Sequence, residues 1–341
     1  MNHKVAVLGA SGYTGAELIR VIATHPTMEI AALSAGRKAG MKMGEVFPHL
    51  RHLDLPGLTE IGKMDFSGID LCFCALPHGI AHDLVRTIPP AVKIVDLSAD
   101  FRLRDGADYR KWYGRDHTAV DIQPSAAFGL PEFYREDIAR ARLTANTGCY
   151  VAVSLLPLVP LLRAGVIAVD DIVIDAKSGV SGAGRGLSEE MLFAEADEGF
   201  GAYGVAHHRH MGELDQELGK AAGKPVTVSF TPHLAPMIRG MEATIYARGE
   251  ADEVHGVLSA QFSLEPFVDI LPMGEVPHTQ HVRGSNMCRI AVFADRIPGR
   301  VIVLSVLDNL MKGASGQAVQ NANLMLGDEE TAGLMLAPCF P

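Results

Sequence analysis

Five stretches of the sequence carry residue types at spacings that could do chemistry. The first is Gly9-Ala10-Ser11-Gly12-Tyr13-Thr14-Gly15, which follows the apolar run Lys4 to Leu8. The spacing GxxGxxG is a relative of the glycine-rich dinucleotide fingerprint. One glycine permits the tight turn, Gly12 lets backbone approach a pyrophosphate, and Gly15 lets the next helix pack closely. The N–H groups at that helix start then face the phosphate charge. The second stretch, Ser34 with Arg37 and Lys38, ends the next apolar run, where an NAD site usually carries an acid. A guanidinium there binds a 2′-phosphate that a carboxylate would repel, so NADP is expected.

The third stretch is Asn146-Thr147-Gly148-Cys149, between a short strand and a helix. A thiol at a helix N-terminus is favoured as its anion, and the same N–H groups can receive an oxyanion formed beside the sulfur. The same position also suits a small buried apolar residue, which is the reading for Cys72, Cys74 and Cys288. The fourth is His207-His208-Arg209-His210, which suits acid–base work, anion binding or a polar loop. Zinc is disfavoured, since no second cysteine or carboxylate stands at familiar spacing and Glu213 is a weak third ligand, so no metal is expected. The fifth comprises two loops. Lys177-Ser178-Gly179-Val180-Ser181-Gly182-Ala183-Gly184-Arg185 offers hydroxyls, glycines and a guanidinium to an anion. Ser98-Ala99-Asp100-Phe101-Arg102 leaves a strand end, where open α/β sheets place ligands. Asp100 is read there as orienting Arg102 or its loop.

The elements that position these groups follow from hydrophobic pattern. The runs VAVLG, LCFCAL and KIVDLS are too continuously apolar for a sheet with one wet face, and predict a parallel sheet covered on both sides. Helices are expected over Tyr13 to Thr24 and His78 to Ile88, with Ala99 to Arg142 as an irregular last crossover. A helix from Cys149 toward Arg163 must be kinked or interrupted by Pro157 and Pro160. From Asp171 onward strands dominate: Asp171 to Ala176, Val226 to Pro232, Met241 to Arg248, Cys288 to Ala294 and Val301 to Leu307. Helices are expected at Leu187 to Asp197, Met211 to Ala222 and Ala251 to Phe262. The expected fold is therefore α/β, an N-terminal Rossmann-type dinucleotide-binding domain with a second α+β mixed-sheet domain. The first spans 1–148 and is completed by a C-terminal helix near 309–330; the second, 149–308, is catalytic and oligomerising.

Composition narrows the function classes. The chain has 341 residues, enough for two domains without disulfide or metal support. Acidic residues outnumber Lys plus Arg by 40 to 30, a net −10 that argues against nucleic-acid binding. The five sparse cysteines make no disulfide framework. The start MNHKVAVLGASGYTG lacks a signal-peptide layout, and the most apolar stretch, Val151 to Leu162, is too short and too proline-rich to span a bilayer. A soluble cytoplasmic protein is expected, without membrane partners.

The motifs GASGYTG at 9–15, DLSADFRL at 96–103, KWYG at 111–114, FGLPE at 128–132 and NTGCY at 146–150 belong together. With DAKSGVSGAGR at 175–185, AYGVAHHRH at 202–210 and DNLMKGASGQAVQN at 308–321, they resemble the longer N-acetyl-gamma-glutamyl-phosphate reductases over nearly the whole chain. That family is similar in architecture to aspartate-semialdehyde and glyceraldehyde-3-phosphate dehydrogenases. The resemblance implies that Cys149 attacks an acyl phosphate, that inorganic phosphate leaves, and that NADPH reduces the thioester to a semialdehyde in arginine synthesis. It implies His210 as acid/base and His208 as a substrate contact or support. Ser98, Arg102, Ser178 and Arg185 would contact substrate. Gly9, Ser11, Gly12, Tyr13, Thr14, Gly15, Ser34, Arg37, Ser181, Gly182 and Asn309 would contact NADP(H). It also implies a homodimer or tetramer. The alternative keeps the chemistry and moves the acid, aminoadipyl or glutamyl, onto a small carrier protein. Thr147, Val151-Ala152 and Met211-Gly212 depart from the family's usual NPGCYPT and HRH-Thr-Pro-Glu; these remove rigidity and no reacting atom.

Overall fold

The fold is taken from a computed structural model, which describes residues 2–340. The chain forms two compact units. The first comprises the chain up to Arg110, Arg115–Thr147 and Ala314–Leu336; the second comprises Lys111–Gly114, Gly148–Gly313 and the chain from Ala337. Gly148 and residues 309–313 thus group with the second unit, a few residues away from the boundaries read from sequence, and so does Lys111–Gly114, which lies well inside the stretch read as the first domain.

The first unit is built on seven strands: β1 His3–Leu8, β2 Met28–Ser34, β3 Leu58–Thr59, β4 Leu71–Cys74, β5 Lys93–Asp96, β6 Ala127–Gly129 and β7 Leu143–Asn146. Their order is β3-β2-β1-β4-β5-β7-β6, and every pairing is parallel. The sheet is read outward from β1 in both directions, so the C-terminal end of β1 is the switch point where ligands bind in such sheets. The glycine turn 9–15 sits there. All four residues of β4 are buried, as are Val5 to Leu8, which is why these runs carry no polar alternation.

Several local expectations are corrected. The helix expected over His78 to Ile88 spans Ala81–Thr87. Gly79 adopts φ +83°, and the Asp100 carboxylate accepts hydrogen bonds from the Gly79 and Ala81 N–H groups, which pulls residues 78–80 off the helix. The stretch 99–142 is more regular than its polarity suggested, holding β6 and the helices Gly106–Tyr113 and Pro131–Arg140. β6 is three residues long and shows no period. The helix expected over Leu187 to Asp197 is only a 3₁₀ turn, Glu189–Met191, and one helical turn, Phe193–Ala196. Leu187 and Phe193 lie exposed, so its apolar positions have no core to drive a helix.

The second unit is a mixed sheet of β8 Val173–Gly179, β9 Gly201–Ala202, β10 Ser229–Ala235, β11 Met241–Arg248, β12 Val268–Ile270, β13 Cys288–Ala294 and β14 Arg300–Leu307. The order is β12-β13-β14-β11-β8-β10-β9, with β8–β10 and β12–β13 parallel and the other pairs antiparallel. Burial alternates strictly along Met241 to Ala247, so one face meets the helices. The helix Cys149–Ala164 packs on β11 and β14, and the helices His210–Ala222 and Ala251–Phe262 pack on it in turn. It runs unbroken through Pro157 and Pro160, contrary to expectation, with thirteen of its sixteen residues buried. Each buried leucine or valine contributes about 1.5–3 kcal/mol, and together they outweigh roughly 3 kcal/mol lost at each interior proline. Among the described residues no helix is long and apolar enough to cross a membrane.

The last helix, Gly316–Leu326, belongs to the first unit and packs on the helices Tyr13–Ile22 and Pro131–Arg140. Its amide side chains face inward. Asn321 donates to Asn146 Oδ1 (2.9 Å) and to the Gly129 carbonyl (3.1 Å), Gln317 donates to Thr147, and Gln320 donates to Glu330 and Glu132. These bonds hold the ends of β6 and β7, and so the residues that lead into Cys149.

Candidate active site

In the second unit the chain enters the helix Cys149–Ala164 through Gly148, its N-cap, with extended backbone (φ −69°, ψ 151°) and no capping side chain. Cys149 is therefore the first helical residue and is half-buried. The thiol lies where first-turn N–H groups favour negative charge. Gly313 presses on it from the other side: a Cβ built on Gly313 would lie 2.8 Å from Cys149 Cβ.

The helix His210–Ala222 supplies the second group. The His210 imidazole fills the space beside Gly148 that a Cβ would take, so only glycine fits before the thiol. Glu213, one turn further on and fully buried, accepts a hydrogen bond from the Gly148 N–H (3.3 Å). Its other oxygen lies 4.0 Å from His210 Nε2. One carboxylate thus holds the backbone before the nucleophile and faces the imidazole beside it.

His208 sits behind His210, with ring centroids 4.8 Å apart. Its Nδ1 accepts from the His210 N–H (3.3 Å), which leaves the neutral ring's proton on Nε2. Burial, then the charges of Arg209 and His207, lower its pKa to about 4, so the ring is neutral at physiological pH. Tyr150 lies edge-on to both histidines, at 5.6 and 5.9 Å. The Tyr203 hydroxyl donates to the Tyr150 hydroxyl (3.1 Å), which donates to the His233 carbonyl (3.1 Å). Burial pushes the Tyr203 phenol up to about 12 and the Tyr150 phenol higher still, so both keep their protons. His207 is exposed and bonded to the Val205 carbonyl.

The loop after β8 carries Ser178, Ser181, Gly182 and Arg185. Ser178 interacts with the Tyr150 hydroxyl, which joins this loop to the histidine cluster. Asn309 donates to Ser181 Oγ (2.9 Å) and accepts from the Gly240 N–H (2.9 Å), so it ties the loop down. A Cβ on Gly182 would meet Ser178 Oγ at 3.0 Å. Arg185 lies exposed beyond Gly184, which adopts φ +81°.

The remaining predicted residues belong to the first unit. Gly9 adopts φ +81° and has no room for a side chain against the Ala75 carbonyl, while Gly15 packs on Gly9 and Ala10. At Gly12 a Cβ would meet only the Gly9 oxygen, at 3.6 Å, so the space before this helix is open. No side chain caps the helix Tyr13–Ile22, and no acid stands in its first turn. Ser11, Tyr13 and Thr14 complete the turn, and the Thr14 carbonyl accepts from Ser315 Oγ (3.0 Å). Ser34 is buried at the end of β2, its hydroxyl without a hydrogen-bond partner, and Arg37 is exposed beyond it. The turn, the uncapped helix start and the orphaned hydroxyl fit a dinucleotide phosphate and ribose.

The 97–103 loop is more self-contained than its sequence implied. Ser98 is buried and donates to Asp96 Oδ2 (2.8 Å). Asp96 is raised to about 7 by burial and then by the charge of Asp100. Asp100 accepts from two backbone N–H groups and from the Tyr109 hydroxyl (2.8 Å), so it organises the loop. Arg102 donates to the Leu97 carbonyl (3.0 Å) and lines a small cavity with Arg104, Gln123 and Phe128. Among the described residues no three His, Cys, Asp or Glu side chains converge as a metal-ligand set.

A strand, glycine turn and helix in one unit, with a helix-start cysteine and a histidine in the other, define a class of acyl-transferring oxidoreductase, and the chain belongs to the semialdehyde dehydrogenase family. The family's NAD binding domain matches residues 4–141, and its dimerisation domain matches 149–309. Within that family the chain belongs to the N-acetyl-gamma-glutamyl-phosphate reductases. It is 60% identical to that enzyme of Ruegeria pomeroyi and 59% identical to that of Paracoccus denitrificans, each over 342 residues and the full length of both chains. Among solved structures it is similar in fold to aspartate semialdehyde dehydrogenase II of Vibrio cholerae, with TM-score 0.72 and 16% identity over 96% of this chain and 99% of that one. The corresponding values for the Candida albicans aspartate semialdehyde dehydrogenase with NADP are 0.70, 18%, 96% and 99%.

The site residues that sequence reasoning underrated are Glu213, Tyr150, Tyr203 and Gly313. Glu213 had a usable signal: three residues after His210 on a helix, it must share a face with it. Gly313 had none, since its role is to leave space for a residue far away in sequence.

Proposed function

We propose that the chain reduces N-acetyl-L-glutamyl 5-phosphate to N-acetyl-L-glutamate 5-semialdehyde, releasing phosphate, through a thioester on Cys149. The observation that carries this reading is the His210 imidazole packed beside Gly148, immediately before a helix-start thiol. Cys149 Sγ attacks the acyl carbon; the C–S bond forms and the bond to the phosphate oxygen breaks. The first-turn N–H groups stabilise both the thiolate and the oxyanion beside it. NADPH, when bound, supplies the hydride that the reduction requires. His210 moves the proton on and off the substrate oxygen as the carbon–sulfur bond is made and broken, and the buried Glu213 carboxylate stabilises its protonated form. Neutral His208 donates from Nε2 to the anionic substrate. Ser178, Arg185, Ser98 and Arg102 serve the phosphate and carboxylates. The turn Gly9 to Gly15, with Ser34, Arg37, Ser181, Gly182 and Asn309, holds NADP(H).

A single assay tests the activity and the cofactor. Oxidation of N-acetylglutamate semialdehyde should require inorganic phosphate and prefer NADP over NAD. Arg37→Ala should weaken NADP binding about 10- to 100-fold, the equivalent of one charge-assisted hydrogen bond of roughly 1.5–3 kcal/mol. Equal kinetics with both cofactors would overturn the Arg37 assignment. Turnover only of a carrier-bound acid would overturn the substrate. A thiol nucleophile needs a reducing compartment, which the cytoplasm supplies. The half-exposed outer residues of β11 and β14, including Thr244, Tyr246, Ile302 and Leu304, support a dimer or tetramer joined through this sheet. A monomer in sedimentation equilibrium would rule that out.

A further inference from the structure

Residues Lys111–Gly114 group with the second unit, whereas the chain on both sides of them groups with the first. Two of the four grip the start of the helix that carries His210. The Tyr113 ring lies 5.6 Å from the Arg209 guanidinium. The Trp112 indole lies so close to Gly212 that a Cβ there would be 2.5 Å from Cδ1 and 2.7 Å from Nε1. Residues 209 and 212 bracket His210, so both contacts bear on the backbone that aims its imidazole. The N-cap residue of this helix, Arg209, makes no side-chain capping bond and is itself in helical conformation (φ −55°, ψ −34°). Beyond the bond from the His210 N–H to His208 Nδ1, packing must fix this first turn. The Lys111 ammonium, 5.0 Å from the indole centroid, helps to hold the ring in place.

We propose that Trp112 is a positioning residue for proton transfer: seated on Gly212, it fixes the first helical turn so that His210 stays beside Gly148 and Cys149. The proposal rests on His210 as the proton-transfer group, as argued above. Gly212 is the matching half, because any side chain there displaces either the indole or the helix.

The test is steady-state kinetics of Gly212→Ala, Trp112→Ala, Trp112→Phe and the double variant Trp112→Ala/Gly212→Ala, with thermal melts on the same samples. A misplacement of about 1 Å at a reacting group costs up to about 100-fold, so Gly212→Ala should lower kcat roughly 10- to 100-fold with little change in either KM. Trp112→Ala should also lower kcat, and Trp112→Phe, which keeps an aromatic ring on Gly212, should restore most of it. In the double variant no indole remains to collide, so the rate should match Trp112→Ala alone. In a His210→Asn background, Gly212→Ala should lower kcat no further. Wild-type kcat in both single alanine variants, multiplicative losses in the double variant, or a Gly212→Ala penalty that persists without His210 would each overturn the proposal. If Gly212→Ala does not fold, the comparison of Trp112→Ala with Trp112→Phe decides: equal rates overturn it. Near-normal turnover by His210→Asn alone would instead overturn the reading of His210.

Discussion

Cys149→Ser is expected to leave a folded protein that binds NADP and turns over almost nothing, a loss on the order of 10⁴- to 10⁶-fold. A helix start can favour a thiolate at neutral pH, but an alkoxide is far harder to form, so the geometry is kept while the nucleophile is lost. The same residue has a chemical signature that does not depend on turnover. Cys72, Cys74 and Cys288 are fully buried in sheet strands, Cys149 is half-buried at its helix start, and Cys339 is exposed. Iodoacetamide at neutral pH should therefore modify Cys149 ahead of the three core cysteines, and faster than Cys339, whose accessible thiol lacks a helix start. Substrate should protect Cys149 and not Cys339. Peptide mapping reads both results. Rapid labelling of Cys339 alone, with activity lost and Cys149 intact, would remove Cys149 as the nucleophile.

His210→Asn is expected to lower kcat by about 10²- to 10⁴-fold while changing substrate KM far less, because proton transfer belongs to the transition state. His208 provides the contrast. With its pKa lowered to about 4 by burial and neighbouring charge, its ring is neutral throughout pH 6–9 and contributes no titrating limb there. The sign follows: only below about pH 4 would it gain a proton, and raising the pH from 6 to 9 leaves its charge unchanged. His208→Asn should therefore raise substrate KM and keep the shape of the pH–rate profile, whereas His210→Asn should lower kcat across the whole range. Kinetics of both variants across pH 6–9 separate them. A larger kcat defect in His208→Asn would exchange the two roles.

The chemistry-bearing residues were legible where local pattern and chemistry coincide. The continuously apolar runs at β1, β4 and β5 required a parallel sheet. The strand–glycine–helix order at 9–15, and the strand-to-helix step at Cys149, each define local geometry within a dozen residues. What escaped was non-local. Nothing in the sequence around Gly212 announces an indole from residue 112, nor around Gly313 the Cβ of residue 149. Leu187 to Asp197 reads as a helix, yet Leu187 and Phe193 lie exposed and no core stands beneath them. Pro157 and Pro160 read as breakers because their local cost is visible and the burial that offsets it is not. The composition of the last helix shows its Gln and Asn but not the partners they meet in β6, β7 and residues 132–147.

Those amide contacts also set a schedule for the chain as it leaves the ribosome. The sheet of the first unit is complete by residue 146, yet its closing helix begins at Gly316. At about 5–20 residues per second, the nascent first unit waits roughly ten to forty seconds before that helix can dock. During the wait, Asn146, Thr147 and Glu132 lack the amides that later bond them, and the segment entering Cys149 is held at first only by the pairing of β7 with β5 and β6. Synthesis order therefore keeps the nucleophile's approach loose until the second unit has been made.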